Sequence, residues 1–366
     1  MNEINDKSMN NEALIERILL NRKKALKHKG KKSIEGLEKP VAFWIKRDRL
    51  LNEIGKEFTI ILRTRGCDWA LGKTGGCSMC GYIQDSYKDT VPPENILKQF
   101  NFALESKRHD IEHDNNNYVL KIFNSGSFFD DQEIDKNLRT SLYNIIADIP
   151  KIKEIVIESR IEYINREILE EIKSHLKDKY IEIGIGLETV NDYIRNNYIN
   201  KGISFKEFQE VFKLCKDYEV GVKAYLLFKP PFLNEIGAIE DCMNSIRTLI
   251  NMGINSVSIN PINIQRGSLV EYLWYQKRYR PPWYYSLFTC LKNAIHEEDL
   301  ENIRILCDPS GAGTKRGIHN CLKKDCNGNM KNMLENFVLN QDVKELYNNE
   351  FNCSCKLKYK LKSTYL

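Results

Sequence analysis

Six short apolar runs punctuate the chain: 58–64 (FTIILRT), 118–123 (YVLKIF), 154–159 (EIVIES), 181–187 (IEIGIGL), 221–228 (GVKAYLLF) and 254–260 (INSVSIN). They are rich in β-branched and aromatic residues and are bounded by polar or glycine-containing segments, so each predicts a strand. Between them apolar residues recur at helical spacing over 93–108, 131–148, 165–176, 204–217 and 235–252. Pro93 suits a first helical position, and Ser204 suits an N-cap. Strands alternating with helices predict a parallel sheet with right-handed crossovers. The runs read as near-continuously apolar, as expected of strands covered on both faces. An open doubly wound sheet and a partial (β/α)6 barrel both fit this pattern.

Polar residues gather just past the strand ends. Ser125, Gly126 and Ser127 follow the second run, Glu158 to Arg160 close the third, Glu188 and Thr189 the fourth, Lys229 to Pro231 the fifth, and Asn260 and Asn263 the sixth. One such residue is ordinary loop chemistry. Five ends in succession predict the floor of a site.

The first run leads into RTRGCDWALGKTGGCSMCGY, which places Cys67, Cys77 and Cys80 in a C-x9-C-x2-C spacing. A [4Fe–4S] cube takes four thiolates, and three leave one iron open. An open iron is what S-adenosylmethionine (SAM) needs in order to bind and be cleaved to a radical. A zinc knuckle or a set of buried thiols is the plainer alternative. Zinc favours four ligands in two C-x2-C pairs, so the wide gap and the missing fourth ligand favour the cube. A cofactor loop at the end of the first strand also favours the barrel over the open sheet. The expected organisation is therefore α/β: a basic helical extension over 1–55, a partial (β/α)6 barrel over 56–265, and a small cysteine-containing extension over 266–366.

Composition narrows the class further. The chain has 366 residues, 42% hydrophobic and 29% charged, as in a soluble globular protein. No run reaches the roughly 18 apolar residues of a membrane span. The first residues include acidic side chains and no small-residue cleavage site, so a cytoplasmic location is expected. The net charge of +5 says little, but residues 21–32 hold seven Lys/Arg and His28. That block suits either phosphate screening or a solvated helix end.

Beyond residue 265 two features stand out. Arg278 to Tyr285 mixes basic and aromatic residues, which suits either RNA contact or core packing at a proline-broken helix boundary. The run from Cys307 to Cys321, with its glycines, Lys315 and Arg316, suits a loop over a phosphate but lacks Walker spacing. Cys321, Cys326, Cys353 and Cys355 form a second cysteine group, with Cys307 and His319 nearby. A zinc site, a second iron–sulfur cluster and unmetallated thiols all remain open for it. Cys215, Cys242 and Cys290 read as isolated buried thiols.

With these motifs in place, the core resembles radical-SAM enzymes of the subgroup that includes the elongator catalytic subunit and tRNA methylthiotransferases. GLETVNDYIRNNYINKG (186–202) looks like that subgroup's fourth-strand motif and following helix. RGCDW, GGCSMCGY, NSGSFFDD, KPP, CDPSGAGTKRG followed by HNC, and a terminal C-x-C together look like the radical-SAM subunits of archaeosine synthases, over about 58–355. The tail departs from that family, which carries a tighter C-x-x-C after HN, and this leaves its zinc ligands open.

The resemblance implies a substrate tRNA in whose D-loop a partner transferase has attached lysine to 7-cyano-7-deazaguanine. Cleavage of the lysine C–N bond through a 5′-deoxyadenosyl radical then leaves archaeosine. It implies a [4Fe–4S] cluster on Cys67, Cys77 and Cys80, bound SAM, an external electron donor and the lysine-transferring subunit. Gly126 and Ser127 match positions facing the methionine amino group, Glu188 the ribose, and Lys201 the methionine carboxylate. Glu158 is a second ribose candidate, and Met79 and Tyr82 match positions packing the adenine. Methylthiolation needs three further cysteines ahead of the triad, and none precedes Cys67. Acyl addition needs a further catalytic domain. A non-catalytic zinc RNA-binding module is the alternative of a different class.

Overall fold

The computed structural model describes residues 4–27, 34–87, 89–347 and 353–363. Eight strands form one sheet in chain order: β1 (Ala42–Arg49), β2 (Ile54–Leu62), β3 (Tyr118–Asn124), β4 (Ile152–Glu158), β5 (Tyr180–Glu188), β6 (Gly221–Phe228), β7 (Ser256–Pro261) and β8 (Arg304–Leu306). All six expected strands form, and each pairs parallel to the next. Two more strands flank them. β1 pairs antiparallel to β2, and β8 pairs parallel to β7. Neither carries a full-length apolar run: β1 opens on AFWI but ends in KRDR, and β8 is three residues long.

The helices are α1 (Ile4–Lys27), α2 (Asp68–Leu71), α3 (Pro93–His113), α4 (Lys136–Ala147), α5 (Arg166–His175), α6 (Asp192–Asn197), α7 (Phe205–Asp217), α8 (Glu235–Met252), α9 (Leu269–Tyr275), α10 (Tyr284–Ala294), α11 (Lys324–Asn340) and α12 (Cys355–Lys362). Pro93 opens α3, and Ser204 caps α7 in a reciprocal box with Glu207. No helix among the described residues is long and apolar enough to cross a membrane.

The strands are not apolar on both faces. Phe58, Ile60, Leu120, Ile122, Ile155, Ile157, Ile183, Val222, Val257 and Ile305 point outward and pack with the helices in one core. The alternate residues point inward and are largely polar: Glu57, Lys121, Glu154, Glu182, Lys223, Ser256 and Arg304. The expectation of near-continuous apolar strands therefore gives way to a period-2 pattern, because only the outer face meets helices.

These inward side chains also show that the sheet curls. Arg304 on β8 donates to Glu154 on β4 at 2.8 Å, to Glu182 on β5 at 2.9 Å and to the Arg49 carbonyl on β1 at 3.1 Å. Four strand spacings in a flat sheet separate β8 from β4 by roughly 19 Å, beyond the reach of an arginine. Lys223 pairs with Glu182 at 2.9 Å, and Lys121 with Asp48 at 2.6 Å and with Glu57. The barrel is thus plugged at its base by a closed network of charges.

Candidate active site at the barrel mouth

The opposite end of the same inner face holds the expected site. The loop after β2 carries the cysteines. Cys67 starts α2 and donates its backbone N–H to the Ser125 carbonyl at 2.9 Å, which ties the loop to the end of β3. Between the other two, the Ser78 N–H donates to the Ile199 carbonyl at 2.8 Å and its hydroxyl to the Tyr198 carbonyl at 2.7 Å. Burial, and then the charge of Cys77, pushes the Cys67 thiol up to about 12. Burial likewise raises Cys77, against the pull of Lys201 and Arg160. Three soft sulfurs, two of them desolvated with cations nearby, suit a bound iron–sulfur centre, which offsets the cost of ionising them. They do not form the compact ligand group that a single ion takes; among the described residues only the tail cysteines do.

Glu188 and Lys201 form an ion pair at 2.8 Å, with side chains about a tenth exposed. Burial lowers the affinity of Lys201 for its proton, but Glu188 and Cys77 more than offset this and hold it above the ordinary lysine value. Glu188 sits at φ 70° beside a register shift between β5 and β6. A bulge of this kind re-aims a side chain, and positive φ in a non-glycine residue is a cost that functional sites often carry. Gly186 makes the space: a Cβ there would lie 2.4 Å from Lys201 Nζ and 2.8 Å from Glu188 Oε1.

Glu158 is half-buried at the end of β4 and is hydrogen-bonded by Tyr225 of β6. Burial raises its carboxyl to about 7 against the pull of Tyr225 and Lys201. Gly126 and Ser127 follow β3 over a carboxylate the sequence reading missed. Glu133 accepts from the Ser127 N–H and the Asn124 amide, both at 2.9 Å, and from the Thr64 hydroxyl. A Cβ on Gly126 would fall 1.6 Å from Glu133 Oε1, so a side chain there would displace the Glu133 carboxylate from the turn. Met79 packs half-buried beside Ile199, Leu227 and Ile262, while Tyr82 is 54% exposed at the rim.

Arg160 is the other residue passed over as a site group. Its guanidinium donates to the Lys201 carbonyl at 3.1 Å and stacks 5.1 Å from the Trp69 ring. Burial works against its charge, but Cys77 and Glu162 keep its affinity for the proton above the ordinary value. Its place two residues after Glu158, just past the strand end, was the available signal.

The tail cysteines converge in spite of their irregular spacing. The sulfur atoms of Cys321, Cys326, Cys353 and Cys355 all lie within 4.8 Å of one another. Cys321 and Cys353 are 4.0 Å apart, and Cys326 and Cys355 3.7 Å. Thiolates 2.3 Å from a tetrahedral ion stand about 3.8 Å apart, so the donor set fits zinc. Trp283, Tyr285 and Tyr359 surround it. His319 is not part of the group; its Nδ1 faces the Gly317 carbonyl at 2.8 Å, and burial drives its proton affinity down to about 4. Cys307 lies buried near Cys290, and Cys242 is hydrogen-bonded with Cys290 rather than isolated.

Two segments left open between RNA contact and a structural role take the structural one in part, while Lys23 and Lys24 of the basic block stay exposed. Tyr279, Trp283 and Tyr284 are buried, and Arg280 lies 3.6 Å above the Trp283 ring, so most of the Arg278 to Tyr285 segment serves packing. In the basic block, Arg22 is buried against the cysteine loop rather than facing solvent. Residues 28–32 of that block lie outside the described residues.

A curled α/β sheet with this three-cysteine loop at its mouth defines a radical-SAM barrel. No family model matches the chain. It is 37% identical over 319 residues to archaeosine synthase subunit beta of Methanosarcina acetivorans, covering 87% of this chain and 88% of that one. It is 36% identical over 320 residues to archaeosine synthase subunit beta of Thermococcus kodakarensis, covering 87% and 96%. An uncharacterized protein of Methanocaldococcus jannaschii is 39% identical over 331 residues, covering 90% and 88%. The chain belongs to the archaeosine synthase subunit beta family. Among solved structures, archaeal Elp3 of Methanocaldococcus infernus with an N-terminal deletion overlaps 66% of this chain and 59% of that one, at 17% identity and a TM-score of 0.47.

Proposed function

We propose that this protein is a radical-SAM tRNA-modifying lyase that cleaves the lysine C–N bond of a lysine–7-cyano-7-deazaguanine adduct to form archaeosine. The observation that carries this is the identity of more than a third, across most of both chains, to two proteins named archaeosine synthase subunit beta. A cluster on Cys67, Cys77 and Cys80, with SAM, supplies the one-electron chemistry that yields a 5′-deoxyadenosyl radical. The residues of the mouth position and shield. Lys201 faces the methionine carboxylate, Glu188 and Glu158 the ribose, the Gly126–Ser127 turn the amino group, and Met79 and Tyr82 the adenine. Glu133 holds that turn from beneath, and Arg160 holds positive charge beside the thiolates.

The tRNA reading draws support from a surface that replaces the buried 279–284 segment. Trp274 and Tyr275 lie 5.0 Å apart, and Tyr275 is 68% exposed. Arg316 stacks 5.1 Å from the Trp274 ring and Arg17 4.7 Å from the Tyr272 ring. Such a mixture suits phosphates and splayed bases. The partners in this reading are the tRNA, the lysine-transferring subunit and an external electron donor, and the tail tetrad holds structural zinc.

Mass spectrometry of tRNA nucleosides after anaerobic incubation with SAM, reductant and lysine-adducted tRNA tests the reaction. Loss of the adduct with gain of archaeosine supports it; an unchanged adduct in a partner-containing assay rules it out. A purified chain that takes up zinc but never iron favours the non-catalytic RNA-binding alternative. For the tail, Cys326→Ser removes one zinc equivalent and lowers the melting temperature; an unchanged metal count refutes the zinc assignment.

A further inference from the structure

Helix α1 precedes the barrel in sequence, yet its Arg22 is only 5% exposed. The guanidinium donates through Nε to the Gly75 carbonyl at 2.9 Å, through one terminal nitrogen to the Cys80 carbonyl at 3.0 Å, and through the other to the Cys77 carbonyl at 3.4 Å. Two of these three acceptors belong to the expected cluster ligands themselves. The helix is seated there by more than this one residue. Ile18 and Leu14 pack in the same apolar group as Cys77, Met79, Ile199 and Leu269. Among the described residues no carboxylate pairs with it, and a buried cation satisfied by carbonyls alone is costly unless a negative charge lies close by. A cluster ligated by the thiolates of Cys77 and Cys80, whose carbonyls Arg22 holds, would supply such charge.

We infer that Arg22 is a positioning residue for the iron–sulfur cluster, fixing the backbone of Cys77 and Cys80 and holding positive charge behind it. The inference rests on the reading that the triad holds a cluster. The fork of a guanidinium matches three carbonyls, whereas a lysine ammonium is a point charge with other geometry. Charge and hydrogen bonding around a cluster set both its retention and its reduction potential. A cation stabilises the reduced, more negative state, so Arg22 raises the potential and eases the electron transfer that starts the reaction.

The test uses full-length protein reconstituted anaerobically. Arg22→Gln is expected to lose its cluster to a chelator about tenfold faster than the parent and to show a more negative midpoint in an EPR-monitored titration. Arg22→Lys is expected to keep the midpoint near that of the parent while still losing the cluster faster. Parental retention and midpoint in a folded Arg22→Gln chain overturn the inference; if that variant does not fold, parental retention in Arg22→Lys does so. Metal-free protein gives an independent readout. Amide exchange at Ser78 and Cys80 should rise in Arg22→Gln, and unchanged exchange overturns the clamp. A parent chain that never takes up iron, yet shows the exchange difference, overturns the cluster reading and leaves the clamp standing.

Discussion

Glu182 at the base of the barrel and Glu158 near its mouth both lie on the inward face of neighbouring strands, and burial penalises the charge of each. Lys223 and Arg304 overcome that penalty and hold Glu182 down to about 2. Tyr225 and Lys201 do not overcome it for Glu158, whose carboxyl rises to about 7. The base is a solved electrostatic problem in which each carboxylate has a cation. The mouth is an open one, with thiols raised by their own burial and one lysine serving a single carboxylate. Perturbed groups that the protein does not itself satisfy mark where a ligand supplies the missing partner.

The largest effect that divides the two ends comes from Cys67→Ala. It should abolish iron uptake and SAM-dependent 5′-deoxyadenosine formation while leaving the melting temperature of the metal-free chain near its starting value; retained 5′-deoxyadenosine would falsify the mouth as the reaction centre. Arg304→Leu should act at the other end, leaving Glu154 buried without its cation and Glu182 with Lys223 alone. A loss of about 3–5 kcal/mol in denaturant unfolding is expected, and a loss under about 1 kcal/mol would mean that water reaches the base.

Glu188→Gln is expected to weaken SAM binding about tenfold, or about 1.4 kcal/mol, in equilibrium dialysis, with little change in unfolding. A large stability loss with parental SAM affinity would make the pair structural, like those at the base. The smallest effect is a pH slope. Folded Glu158 holds its proton more tightly than the unfolded group, so the stability it contributes is greatest below pH 4.5 and declines up to about pH 7. Glu158→Gln should flatten that decline by on the order of 1 kcal/mol. Glu182→Gln should act in the opposite direction: the stability Glu182 contributes is present above pH 4.5 and lost toward about pH 2. Parallel slopes for the two variants would erase the distinction.

The sequence carried the strands that have an outward apolar face, because isoleucine, leucine and valine at alternate positions survive any reading. It hid β1, whose AFWI stretch breaks off into four charged residues, and β8, which is only three residues long. It also hid the charged lining. Lys121, Glu182 and Lys223 sit inside runs that read as apolar, and only the curl of the sheet brings Arg304 to them. At the mouth the triad was legible from spacing alone. Glu133 and Arg22 were not: Arg22 acts on carbonyls more than fifty residues away, and Glu133 gathers a nearby backbone N–H with side chains from two strand ends, contacts that no side-chain motif records. The tail tetrad was visible as a possible metal site, but its irregular spacing left open whether the four sulfurs meet, which the fold brings about.

The Arg304 network sets an order of assembly. Arg49 leaves the ribosome early, and the side chain that bridges to its carbonyl follows 255 residues later. At roughly 5–20 residues per second the nascent barrel waits about 13–50 seconds for that last strand. From their own synthesis until β8 is made, 150 and 122 residues later, Glu154 and Glu182 are without the guanidinium that neutralises them, so the half-made sheet stays hydrated at its base. A nascent chain halted before β8 should therefore stay protease-sensitive, even though all six central strands have already emerged.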